Sequence, residues 1–89
     1  MAWRIEFDPA ARRELEKLDK SVSARILKFL HVRVANLDDP RKIGERLKGP
    51  LREFWKYRIG DYRLICSLKD DRLVVIVLHV GHRREVYDR

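Results

Sequence analysis

The segment that most limits what this chain can become is LVVIVLHV, residues 73–80. It falls far short of the ~20 apolar residues of a membrane-spanning helix. It is also apolar at successive positions, with no alternation to give it a solvent face. A strand of that kind belongs in the interior of a sheet, with neighbouring strands and a layer of protein packed on it. The 89 residues must supply both. They suffice for a single domain over residues 1–89, with one core that buries somewhat over ~60% of the surface exposed when unfolded.

The neighbours and the covering layer can be read along the chain. WRIEF at 3–7 alternates, placing Trp3, Ile5 and Phe7 on one face. Asp8 then Pro9 is a helix start: a side-chain acceptor for orphan amides, followed by a residue whose fixed φ suits the first turn. Ala11, Leu15 and Leu18 make a narrow apolar stripe. Ser21 reads as the N-cap of a second helix, along which Val22, Ile26, Phe29, Leu30, Val34 and Leu37 continue at helical spacing to about Asn36. A loop punctuated by Pro40, Gly44, Gly49 and Pro50 leads to strands at roughly 52–59, 62–69 and 72–80. The order is β-α-α-β-β-β, an α+β fold in which an antiparallel helix hairpin packs on a mostly antiparallel four-stranded sheet.

One cysteine, Cys66, excludes an intrachain disulfide and fits a reducing compartment. The first residues carry no apolar run of signal-peptide type. The expectation is a soluble cytoplasmic protein without membrane contact. Charge is the first functional clue. The net charge is +7. Residues 1–40 hold eight basic and seven acidic groups, whereas residues 41–89 hold thirteen and seven. The C-terminal half therefore invites an anionic partner, either nucleic acid or an acidic protein.

The charge concentrates in WKYRIGDYR at 55–63. Alternation sends Trp55, Tyr57 and Ile59 to one face, and Phe54, Lys56 and Arg58 to the other. Gly60–Asp61 suits a two-residue type II′ turn. That register sets Arg58 directly opposite Arg63, with Lys56 on the same face. Like charges facing each other across a hairpin are destabilising. Either each finds a carboxylate, with Glu53, Asp61 and Glu85 in reach, or the set awaits a phosphate. Arg58 and Arg63 would then hold its oxygens, and Lys56 would serve as a general base. Beyond the last strand, His82, Arg83, Arg84, Glu85 and Tyr87 form a second polar cluster. His79 reads as an ordinary core histidine and His31 as a surface one. No His, Cys and carboxylate spacing fits a metal site, so neither metal nor cofactor is expected.

RLKGPLREFWKYRIGDYRLICSL at 46–68, VVIVLHVGHRREVY at 74–87 and the element order together resemble the RelE/ParE superfamily of toxin–antitoxin toxins, RelE more than ParE. The resemblance runs from about residue 3 to residue 87. It implies a ribosome-dependent, metal-free endoribonuclease that cuts mRNA in the ribosomal A site through attack of the 2′-OH on the adjacent phosphate. It also implies neutralisation by a RelB-like antitoxin, through which the complex would reach operator DNA. The family's basic strand positions fall on Lys56 and Arg58, the arginine of its Gly-Tyr-Arg on Arg63, and its tail arginine and tyrosine on Arg83 and Tyr87. His82 stands where relatives often have lysine and offers an acid near neutral pH. Arg84 would add to phosphate binding. ParE toxins share the fold, lack this residue set and act on DNA gyrase, which makes gyrase inhibition the alternative.

Overall fold

The computed structural model describes residues 2–82. Arg4–Phe7 forms β1. Asp8 follows with extended backbone, and its carboxylate accepts from the Ala10 amide at 3.1 Å, which starts α1, Pro9–Glu16. The second helix, α2, spans Lys20–Lys28. Its N-cap is Asp19, with ψ of 146°, so Ser21 is the second residue of the helix rather than its cap. Nor does the α-helix run on to Asn36. Over Phe29–Val34 it widens into a π-helix, closed where the Ala35 amide donates to the Leu30 carbonyl at 2.8 Å.

The loop that follows contains a two-residue strand, β2, Glu45–Arg46, between short 3₁₀ turns at Pro40–Ile43 and Gly49–Leu51. The remaining strands are β3, Trp55–Ile59, β4, Tyr62–Lys69, and β5, Val74–His82. They form one sheet in the order β1-β5-β4-β3-β2. The sheet thus has five strands rather than the expected four, because two residues are too short a strand to leave a period in the sequence. As its apolar run requires, β5 is interior, parallel to β1 and antiparallel to β4.

The helical layer covers one face of the sheet. Ala11, Leu15, Ile26, Leu30 and Val34 pack with Tyr57, Ile59, Leu64, Cys66, Val75, Val77 and Val80 in one buried cluster. The pairing of β4 with β5 slips by one residue along the way: Cys66 faces Val77, yet Ile65 faces His79. The extra residue, Leu78, is a β-bulge, and it reverses the alternation of β5. Both Val77 and Val80 therefore reach the core, and His79 turns to the face opposite the helices. Without the slip His79 would fall opposite Leu64, on the helix side.

Candidate active site

Pairing of β3 with β4 sets Arg58 against Arg63 and Lys56 against Ile65, as a two-residue turn requires. Gly60 at that turn has φ +60°, the left-handed value a type II′ corner needs. Tyr57 and Ile59 are buried under the helices, and Trp55 packs half-buried against them. Lys56 and Arg58 stand on the opposite face, which the helices leave open.

The like charges are answered by a carboxylate that the sequence reading passes over. Lys56 and Arg58 meet neither Glu53 nor Asp61 but Glu45, brought in by β2, which pairs Glu45 with Lys56. Glu45 Oε1 lies 3.1 Å from Arg58 Nε and 3.7 Å from Lys56 Nζ. Glu85 lies outside the described residues. The two arginines part company. Arg58 keeps a half-exposed side chain, while Arg63 is buried to 5% and its Nη1 donates to the Gly60 and Tyr62 carbonyls at 3.2 and 3.1 Å. Arg63 thereby ties down the turn that carries Arg58.

Two hollows share this pair. Lys56 and Glu45 line a groove of about 720 Å³ together with Leu47, Leu51, Phe54, Ile65 and Leu78 and with Arg46, Lys48 and His79. They also line a smaller hollow of about 260 Å³ with Phe29, Arg33, Ile43 and Arg58. Glu45 is the one carboxylate among the described residues lining either. An ionised carboxylate accepts and never donates, whereas Lys56 and Arg58 only donate. The cluster thus joins one proton acceptor to two cations in an open groove.

The histidines fall differently from the expectation. His82 pairs with Tyr62, on the Ile59 side of the sheet, with ring centroids 5.7 Å apart and planes at 78°. Gly81, not His82, lies opposite Arg63. The histidine on the Lys56 face is His79. Its Nδ1 lies 2.9 Å from Glu14 Oε2, and Glu14 Oε1 accepts from the Val80 amide at 2.8 Å. No periodicity could have revealed this, since a bulge places it. Arg83, Arg84 and Tyr87 lie outside the described residues.

Burial raises the Tyr57 phenol and the Cys66 thiol far above their usual ranges, so neither serves as acid or nucleophile near neutral pH. Among the described residues no three His, Cys, Asp or Glu side chains group as metal ligands, and no helix is long and apolar enough to cross a membrane.

A helix pair over one face of the sheet, with a groove holding Lys56 and Glu45 on the other, is the α+β arrangement that the resemblance to type II toxins implies. Residues 5–87 match the family described as ParE toxin of type II toxin–antitoxin systems, and the chain belongs to that family. Its relatives include proteins named RelG and RelE. It is 30% identical to Toxin RelG of Mycobacterium tuberculosis over 100% of both chains. It is 37% identical to the mRNA interferase toxin RelE of Escherichia coli K12, over 98% of this chain and 92% of that one. A chain in the RelBE2 toxin–antitoxin complex of M. tuberculosis superposes with a TM-score of 0.85 at 29% identity, covering 93% of each.

Proposed function

We propose that this chain is a ribosome-dependent endoribonuclease that cuts mRNA in the ribosomal A site and is held inactive by a RelB-like antitoxin. The observation that carries the reading is the convergence of Lys56 and Arg58 on Glu45 at the mouth of an open groove. The mRNA interferase name of a relative 37% identical supports it.

In this reading Glu45 takes the proton of the ribose 2′-OH. The 2′-oxygen bonds to the adjacent phosphorus, the bond from phosphorus to the 5′-oxygen breaks, and that oxygen leaves with the electron pair and gains a proton. The products are a 2′,3′-cyclic phosphate and a 5′-OH. Lys56 and Arg58 neutralise the charge that grows on phosphorus-bound oxygens, in positions fixed before substrate arrives. The base role expected of Lys56 passes to Glu45, because Glu45 is the acceptor of the cluster and lies beside both cations. Arg63 positions the turn beneath Arg58. Of the tail residues, Arg83 would stabilise charge or help protonate the leaving oxygen, Tyr87 would stack on or orient the cut base and Arg84 would add to phosphate binding. His82, on the Ile59 side of the sheet, is no longer the candidate acid.

The antitoxin fits the larger groove, whose mixed apolar and basic lining suits a segment with apolar anchors and acidic neighbours. Chemistry and inhibition would then share one surface, and operator DNA would be reached through the antitoxin alone.

The deciding experiment adds purified protein to ribosomes stalled on a defined mRNA and maps the new 5′ ends, alongside a gyrase supercoiling assay. Cuts within the A-site codon that leave 5′-OH ends are expected. Gyrase inhibition with intact mRNA would replace this reading with the ParE-like one.

A further inference from the structure

A second groove runs from the site around the open edge of β3. Strand β2 pairs with Trp55 and Lys56 only, so among the described residues no strand lies over the β3 edge beside Arg58. There, Arg25, Lys28, Phe29, Val32, Arg33, Arg58, Ile59 and Gly60 enclose about 400 Å³. Four of these residues are cations and none is a carboxylate. Phe29, Arg33 and Arg58 also line the hollow that holds Lys56 and Glu45, so the two spaces adjoin.

The helix is built to present this row. Arg25, Lys28 and Arg33 are exposed, and among the described residues none of them has a carboxylate partner. A continuing α-helix, at ~100° per residue, would carry Arg33 about 80° round the axis from Arg25. The π-helix over Phe29–Val34 turns less per residue and brings Arg33 back into line. Arg33 is steadied over the Phe29 ring, 5.8 Å from its centroid. The Arg25 guanidinium packs so closely on the hairpin turn that a Cβ on Gly60 would come within 3.1 Å of it. The π-turn is a rare element that tends to occur where function re-aims side chains.

We infer that this groove binds the phosphodiester backbone of the RNA strand being cut, on one side of the scissile phosphate. The inference rests on the RNA-cleaving reading above and extends it beyond the reacting groups. An RNA strand threaded past Lys56 and Arg58 must continue over a neighbouring surface, and this adjoining one carries a charge that suits successive phosphates. The grooves differ in chemistry: five of the larger one's lining residues are apolar and suit protein, while four of the eight lining this one are cations. Arg25, Lys28 and Arg33 would supply three phosphate contacts that carry affinity and register but no chemistry.

The test uses Arg25→Gln/Lys28→Gln/Arg33→Gln and a mixed-sequence 2′-O-methyl oligoribonucleotide, which lacks the attacking hydroxyl. Binding is followed by fluorescence anisotropy across a salt series, with circular dichroism to confirm the fold. Loss of three contacts should flatten the slope of log K against log salt by about 2, at ~0.7 per single-strand contact. An oligonucleotide too short to leave the Lys56 site should show little difference between the proteins. An unchanged slope overturns the inference while leaving cleavage at the site standing. Weakened binding of poly-glutamate with RNA binding intact also overturns it and gives the groove to an acidic protein. If the wild type cleaves nothing on the ribosome yet the slope falls as stated, the groove stands and the cleavage reading fails.

Discussion

Replacing Glu45 with glutamine keeps the length of the side chain and an oxygen for Arg58, and removes the proton acceptor. The structure separates the two consequences. The Glu45 side chain is 56% exposed, and its contacts to Lys56 and Arg58 are 3.7 and 3.1 Å. The Arg58 pair, exposed at both ends, contributes ~0–1 kcal/mol after solvent screening and side-chain entropy. Lys56, whose side chain is only 10% exposed, keeps an oxygen acceptor beside it in the glutamine variant. The expected loss of stability is therefore within about 1 kcal/mol, a melting shift of at most ~4–8 °C for a domain of this size. A general base contributes ~10²–10⁴-fold to rate, which is roughly 2.7–5.4 kcal/mol of barrier at 1.36 kcal/mol per factor of ten. The catalytic loss should far exceed the structural one. Single-turnover cleavage on mRNA-programmed ribosomes, with enzyme in excess, reads the first, and thermal unfolding by circular dichroism reads the second. Glu45→Gln should melt close to wild type and cleave at least ~100-fold more slowly. Cleavage within about threefold of wild type, with Lys56→Ala inactive in the same assay, would refute the assignment and return the base role to Lys56.

Three further outcomes follow from the fold. Tyr57→Phe deletes the hydroxyl that donates to the Pro40 carbonyl at 2.8 Å in a fully buried setting. It should lower stability in urea by ~1–3 kcal/mol, since the carbonyl is left without a donor; an unchanged midpoint would mean that the bond does not hold the 40–44 loop. Gly60→Ala places a side chain at φ +60° against Arg25, and should destabilise the hairpin by at least ~1–2 kcal/mol, measured the same way. Cys66 is buried, and its thiol is raised above the ordinary value of 9.0 by desolvation. It should resist iodoacetamide at pH 8 until the protein unfolds. Because the folded value lies above the unfolded one, this group's contribution to stability is full below the unfolded value and is lost as pH rises past it. Rapid alkylation of the native protein would contradict its burial.

The parts legible in the sequence are those written in local chemistry. Asp8–Pro9 specifies a helix start whatever surrounds it, and Gly60–Asp61 specifies the turn that fixes the Arg58–Arg63 register. The unalternating 73–80 run demands neighbours on both sides and receives them. What escaped is non-local. Glu45 lies in a strand of two residues and acts only because the chain folds back to pair it with Lys56. Its one trace in the sequence is the need itself: cations facing each other in a hairpin require an acid, and Glu45 is one of two carboxylates in residues 41–54. Uninterrupted alternation along β5 would put His79 on the helix side, and a single extra residue at Leu78 reverses that. The π-helix left no mark because its apolar positions keep a spacing an α-helix would also allow.

The crowding of cations in this hairpin is resolved in two ways, and the difference separates support from chemistry. Arg63 turns inward, spends its Nη1 donors on the carbonyls of its own turn, and is nearly covered. Arg58 turns outward to a carboxylate at an exposed edge. A cation bound to backbone carbonyls in a buried site is costly to move, whereas one paired to an exposed carboxylate exchanges partners at little cost. A phosphate can therefore approach Arg58 without unmaking the fold, and Glu45 already holds the more deeply set Lys56 beside it. In the cleavage reading Glu45 then has two uses in sequence: it orients the cations while the groove is empty, and it accepts the 2′-OH proton once a phosphate has taken its place beside them. This predicts that Glu45→Ala would lose more than the proton transfer alone, falling below Glu45→Gln in cleavage rate. Equal rates for the two variants would show that holding the cations is no part of its role.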